Sequence, residues 1–197
     1  GVICPAKSCV TNSNNNNNGN GLEAVLPSDN INAGLYTSTC IINNEYRVWP
    51  GDNGALESGT YNLKVDITFP KYQVDVVGTL SITGIGNNIS TITAAPSSRH
   101  FYVDGSTSVL ILRRIKLTGG RSTGSYGGSI RVQTKGTLIS SHCIFSDNSA
   151  TSSYGGAIYG YDKALLMLND TIIENNEAYK GGGGIYVGTK LSMNRVI

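Results

Sequence analysis

Gly127-Gly128-Ser129-Ile130 returns as Gly155-Gly156-Ala157-Ile158 and again as Gly182-Gly183-Gly184-Ile185, at intervals of 28 and 27 residues. Four further columns keep step upstream of each copy. They are Ile115, Cys143 and Thr171; Leu117, Phe145 and Ile173; Gly120, Asn148 and Asn176; and Leu110, Leu138 and Leu166. That many columns in register over three copies mark a structural repeat. A period of 27–28 residues suits a solenoid in which each turn holds three short strands. The fold class expected is therefore all-β: a right-handed parallel β-helix, a three-strand solenoid with about 27–28 residues per coil.

Within one copy the strands read Thr137–Ser140, His142–Phe145 and Ala157–Gly160, separated by Ser, Asn and Gly turns. Strand alternation puts Leu138 and Ser140 on one inner face and Cys143 and Phe145 on another. The repeat core expected is Leu117, Cys143, Phe145, Ile158, Leu166, Ile173 and Ile185, with like residues stacked on like. Cys143 lies in an inward column and reads as a small buried hydrophobe. Asn148 and Asn176 align at a turn and are expected to form an amide ladder. The paired glycines let the backbone take positive φ and let neighbouring coils approach closely. Gly181–Gly184 is not followed by a helical pattern, as a phosphate-binding loop requires.

Upstream of the repeat, β-type runs appear at Tyr61–Phe69, Val74–Thr83, Thr91–Thr93, His100–Val103 and Val109–Leu117. Residues 11–21, TNSNNNNNGNG, are a low-complexity polar tract. The expected organisation is a Cys/Asn-rich N-terminal segment and cap over 1–54 and a parallel β-helix over 55–197. Leu191-Ser192-Met193 begins another coil with no polar cap after it, so the helix is expected to continue or to stack beyond 197. Three of the four cysteines, Cys4, Cys9 and Cys40, fall early and are the disulfide candidates, with their pairing open. Their spacing, with no further ligand cluster, gives no metal site. Asn88-Ile89-Ser90 and Asn169-Asp170-Thr171 are sequons, making Asn88 and Asn169 the glycosylation candidates.

The composition excludes several classes. The chain has 25 glycines, 39% hydrophobic residues and only 14% charged residues, against about 25% charged in an average soluble domain. A net charge of +2 offers no basic face for nucleic acid. No apolar run approaches the ~20 residues of a membrane span. Cysteines and sequons together point to a secreted, extracellular or cell-surface setting.

The pair Phe145-Ser146-Asp147-Asn148 and Gly155-Gly156-Ala157-Ile158 resembles the FxxN and GGA(I/L/V) repeats of chlamydial polymorphic outer-membrane proteins. The next copy has Ile173 for Phe and Gly184 for Ala, and the preceding copy carries Gly120 in place of Asn. The resemblance spans about residues 110–187 and implies the β-helix, a fold that hosts adhesins, scaffolds and polysaccharide enzymes alike. Enzyme fragments are incomplete. Arg114-Ile115-Lys116 resembles the basic motif of polygalacturonases without its acidic companions. Tyr159-Gly160-Tyr161-Asp162 resembles the start of an alginate epimerase motif and then continues Lys163-Ala164. Asp147, Asp162, Asp170 and Glu174 read as solvated turn acids, and His100 and His142 have no evident partner. No catalytic residue, cofactor or metal is assigned. The expected function is an extracellular structural or adhesive β-helix in a surface or filamentous assembly, with self-association or neighbouring matrix proteins as partners. The alternative is a carbohydrate-active or carbohydrate-binding β-helix with glycan partners. Tyr126, Tyr154, Tyr159, Tyr161, Tyr179 and Tyr186 would supply outward contact area in either case.

Overall fold

The alternation of Val, Ile, Leu and Phe with polar residues produces short strands, and those at Phe101–Asp104, Val109–Arg113 and Thr137–Ser141 bury every second side chain. The computed structural model describes residues 58–63, 66–69, 72–85 and 88–197. It also describes the backbone of Lys7–Cys9, Ser38–Ile42, Glu45–Trp49 and Ala55–Leu56. No helix occurs among these residues, and so none is long and apolar enough to cross a membrane.

The strands stack in parallel into a solenoid with three principal faces. On the first, Val74–Val76, Phe101–Asp104, Ile130–Gln133, Ile158–Gly160 and Ile185–Val187 lie in order, with Ala55–Leu56 beyond Val74–Val76. The second holds Gly59–Leu63, Thr79–Gly84, Val109–Arg113, Thr137–Ser141, the first half of the ten-residue strand Leu165–Glu174, and Lys190–Val196. The third holds Ile67–Thr68, Ser90–Thr93, Ile115–Thr118, Ile144–Ser146 and the second half of Leu165–Glu174. A narrow fourth ladder of two-residue strands, Arg121–Ser122, Ser149–Ala150 and Glu177–Ala178, fills one corner. From the N-terminal segment, Lys7–Cys9 pairs in parallel with Gly59–Leu63, and Ser38–Ile42 pairs antiparallel with Glu45–Trp49.

The registers create continuous inward columns. Leu80, Leu110, Leu138, Leu166 and Leu191 form one on the second face, and Ile92, Leu117, Phe145 and Ile173 one on the third. Leu117, Phe145, Ile158 and Leu166 are completely buried, and Cys143 is buried as a free thiol. Burial pushes that thiol's pKa up. Ile173 and Ile185 are half-buried against this core, packed on Phe145 and Ile158 of the preceding coil.

Corners are built from single residues in the left-handed region, again in columns. Arg114, His142, Asp170 and Arg195, at φ of 53, 54, 47 and 49°, turn the chain from the second face to the third. Asp147 and Asn175 repeat the device one corner later at 57 and 53°, where the preceding coil has Gly119 at 73°. Outside glycine, this conformation costs about 1–2 kcal/mol per residue and is best tolerated by Asn and Asp.

The double glycines divide two tasks. The first of each pair, Gly127, Gly155 or Gly182, has φ near +70° at 69, 72 and 65°. The second in the middle copy, Gly156, lies where a Cβ would overlap the carbonyl oxygens of Gly183 and Glu177. Backbone bonds continue the stacking through this corner: Gly127 N donates to Tyr154 O and Gly155 N to Gly181 O, at 3.0 and 3.1 Å.

Candidate binding surface

On the first face the outward register column is Asp75, Tyr102, Arg131, Tyr159 and Tyr186. Tyr126 and Tyr154, each directly before the left-handed glycine of its corner, fold back beside that column. Ring centroids lie 4.4 Å apart for Tyr126–Tyr159, 4.5 Å for Tyr154–Tyr186 and 5.4 Å for Tyr159–Tyr186. The Tyr159 and Tyr186 rings are nearly parallel, at 4°. A strip stacked in this way turns its ring faces inward on one another and leaves edges and phenol groups outward. Tyr159 is accordingly 6% exposed although it points away from the core, whereas Tyr161, 6.2 Å from Tyr159, is 52% exposed, and Tyr179, outside the ring contacts, is 75% exposed. Sequence reading placed all six tyrosines on the outside; it did not show that they touch across coils. Positions 131, 159 and 186 each follow the first glycine of their corner by four residues, which is the signal for the Tyr159–Tyr186 stack; the contacts of Tyr126 and Tyr154 carry no such signal.

Cations complete the strip. The Arg131 guanidinium sits 5.4 Å from the Tyr102 ring centre and 5.2 Å from that of Tyr126, and Lys180 Nζ lies 5.8 Å over Tyr154. Arg131 Nη1 donates to Ser125 Oγ and Nη2 to Gln133 Oε1, at 3.1 and 2.5 Å. Gln133 Nε2 donates to the Tyr102 hydroxyl, which donates in turn to Asp104 Oδ2 at 3.0 Å. Burial raises the pKa of Tyr102 and of Tyr159, so both phenols are neutral and able to donate at physiological pH.

The asparagine turn is a second organised feature. Asn148 Oδ1 accepts from Gly120 N at 2.9 Å, and Asn148 Nδ2 donates to Leu117 O and Asn176 Oδ1 at 3.2 and 2.9 Å. Asn176 Nδ2 donates to Phe145 O at 2.8 Å. Asn148 is buried, so this ladder belongs to the scaffold and offers nothing to a ligand.

The remaining candidates are dispersed. Asn88 is exposed. Asn169 lies in a strand between Ser141 and Asn194, its Nδ2 donating to Asp170 Oδ2 at 2.6 Å and its sequon partner Thr171 fully buried. Cys4 lies outside the described residues, and Cys9 and Cys40 are described only as strand backbone. Of the four turn acids, Asp170 pairs with Arg195, which holds its carboxyl below the usual range, and lies 3.5 Å from His142 Nε2. Asp147 and Asp162 are exposed at left-handed corners. Among the described residues no group of three or more His, Cys, Asp or Glu is placed to hold a metal. His100, without an evident partner in the sequence, is fully buried with Nε2 3.0 Å from Ile92 O and Nδ1 3.0 Å from Ser129 Oγ. The carbonyl can only accept, so Nε2 carries the proton and Nδ1 accepts from Ser129. This serine–histidine pair is sealed from solvent and serves the core.

No curated protein and no solved structure shows significant similarity to the chain. The part of the solenoid that carries the asparagine ladder and the last two glycine corners does have a counterpart. Residues 142–161 and 170–188 match the Chlamydia polymorphic membrane protein repeat, so the chain carries two successive copies of a repeat whose family implies a place at the outer-membrane surface or outside the cell.

Proposed function

We propose that this chain is the β-solenoid of a surface structural and adhesive protein, non-catalytic in itself, that meets its partner through the tyrosine strip of the first face. The carrying observation is the strip: five tyrosine ring contacts, four stacked and one tilted, and three cation contacts spread over successive coils. Tyr and Arg dominate the buried centres of protein contacts because they offer large rigid areas with a polar tip. The family match supports the surface location. Self-association and contact with matrix proteins both fit a flat face of this kind.

The test joins location to binding. Antibodies against the chain should label intact producing cells, and an array of matrix proteins and glycans should retain at least one ligand. A Tyr126→Ala/Tyr154→Ala/Tyr186→Ala variant that still melts cooperatively should lose that ligand. Labelling that needs permeabilised cells, or a variant that binds like the parent chain, overturns the reading.

A further inference from the structure

At one end of the strip two guanidinium groups lie close enough to repel, and among the described residues neither has a carboxylate within ion-pair distance. Arg99 is 8% exposed, and its Nη2 donates to Ser122 Oγ at 3.0 Å. Arg131 is bound by Ser125 at 3.1 Å, so the short segment Ser122–Ser125 spans both groups. The Nε–H of Arg99 and the Nε–H of Arg131 are both buried with no acceptor. Neither arginine forms an ion pair among the described residues. The carboxylates nearby act on the pair only through space, Asp75 accepting from Gln73 Nε2 at 2.8 Å and Asp104 from the Tyr102 hydroxyl at 3.0 Å. Burial, and then the neighbouring Arg131 charge, bring Arg99 down to about 10, and the Asp75 charge offsets this only in part.

Two like charges with two vacant donors are an unfavourable arrangement for a scaffold. Buried donors left open in a folded protein call for a partner that supplies acceptors. Guanidinium forks match carboxylate and sulfate oxygens two at a time. We propose that Arg99 and Arg131 form the anchor of a binding site for an acidic polysaccharide, taking a uronate carboxylate or a sulfate ester on the sugar. The neighbouring phenols of the strip would serve the same polymer as hydrogen-bond donors. The anion would enter from the side of the exposed Thr123 and Gly124, the Ser122–Ser125 segment giving way so that it reaches the two buried Nε–H groups. A polysaccharide fits better than an acidic peptide, because the strip is a row of tyrosines stacked from coil to coil, with the open ring of Tyr161 at its margin. This assignment rests on the strip being the contact surface and names what it contacts.

The experiment measures binding of the folded chain to heparin, polygalacturonate, neutral dextran, poly-glutamate and sodium sulfate at two salt concentrations, with Tm recorded for every variant. Expected are binding to one or both acidic polysaccharides and none to dextran, weakening with salt. Arg131→Gln should weaken that binding about 10-fold or more, and Arg131→Lys should not restore it, since a point charge lacks the planar fork. Arg131 is half-exposed, so these variants are expected to fold even where Arg99→Gln does not. Failure to bind either acidic polysaccharide, or unchanged affinity in Arg131→Gln, overturns the proposal. Equal or tighter binding of poly-glutamate replaces the polysaccharide by an acidic peptide, and sulfate competing as well as any polymer means an adventitious ion only. If the tyrosine triple variant loses an array ligand while the parent chain ignores acidic polysaccharides, this proposal falls and the adhesive reading stands.

Discussion

Asn148 Nδ2 donates to Asn176 Oδ1 at 2.9 Å across 28 residues of chain, and that same oxygen also accepts from the backbone N–H of Asn148. One side chain thereby joins two coils twice. Its own Nδ2 reaches back to Phe145 O, so the amide column and the aromatic core column are tied together at each turn. Where the preceding coil has Gly120, the column ends, and the Gly120 N–H takes the place of the next amide as donor to Asn148 Oδ1.

Removing the amide from the centre of that column should be expensive. In Asn148→Ala the buried Gly120 N–H and Leu117 carbonyl lose their partner, and each buried group left open costs about 1–3 kcal/mol. A destabilisation of about 2–4 kcal/mol in urea unfolding is expected. Asn148→Asp should do no better, because a carboxylate can accept from Gly120 but cannot donate to Leu117 O or Asn176 Oδ1. Parent-like stability in either variant would show that the ladder is decorative.

Both glycines of one corner should refuse a side chain. Gly155→Ala places a side chain at φ of 72°, which costs about 1–2 kcal/mol, and also sets its Cβ against the Ile158 carbonyl oxygen of the same corner. Gly156→Ala drives a methyl group into the carbonyl oxygens of Gly183 and Glu177. Backbone cannot rotate aside as a side chain would, so a loss of about 3 kcal/mol or more is expected. Thermal melts of the two variants check both losses, and a Gly156→Ala chain as stable as the parent would contradict the close approach of the coils.

Much of this coil is legible from residue order alone, and the reason is physical. Stacked parallel coils place equivalent residues in contact, so packing demands recur at one period, and Leu110, Leu138 and Leu166 display it directly. Strand alternation then separates inside from outside. The fourth ladder at Ser149–Ala150 escapes that reading, because two residues show no alternation. The contact face escapes it for another reason. Tyr126 and Tyr159 belong to different columns and meet only because the loop before Gly127 folds back, a matter of loop path rather than of period. The buried state of Arg99 is hidden for the same reason, since its cover, Ser122, comes from the following coil.

Phe145 tests the register itself. It is completely buried between Leu117 and Ile173 in the third-face column. Phe145→Ala should destabilise by about 3–5 kcal/mol. Ile173→Ala, at a half-buried position of the last coil, should fall at the low end of the 2–5 kcal/mol range for such truncations or below it. Chemical denaturation of both variants checks the pair, and a near-neutral Phe145→Ala would refute the stacking.

The sealed His100 predicts a pH dependence with a defined direction. Burial lowers its pKa from 6.5 to about 4 in the folded chain, while the unfolded chain keeps the ordinary value. Above pH 6.5 the imidazole is neutral in both states and contributes nothing. As pH falls from 6.5 toward 4 the unfolded chain gains a proton that the folded chain refuses, so stability drops. Below 4 the loss is complete, at about 3 kcal/mol from 1.36 kcal/mol per unit. His100→Gln retains a donor for Ile92 O and an acceptor for Ser129 Oγ and does not titrate. Carboxylates such as Asp170 titrate in both proteins, so the difference between them isolates the histidine. Urea unfolding at pH 7, 5.5 and 4 should therefore show the parent chain losing about 3 kcal/mol more than His100→Gln. Parallel losses in the two chains would mean that His100 accepts its proton inside the folded core.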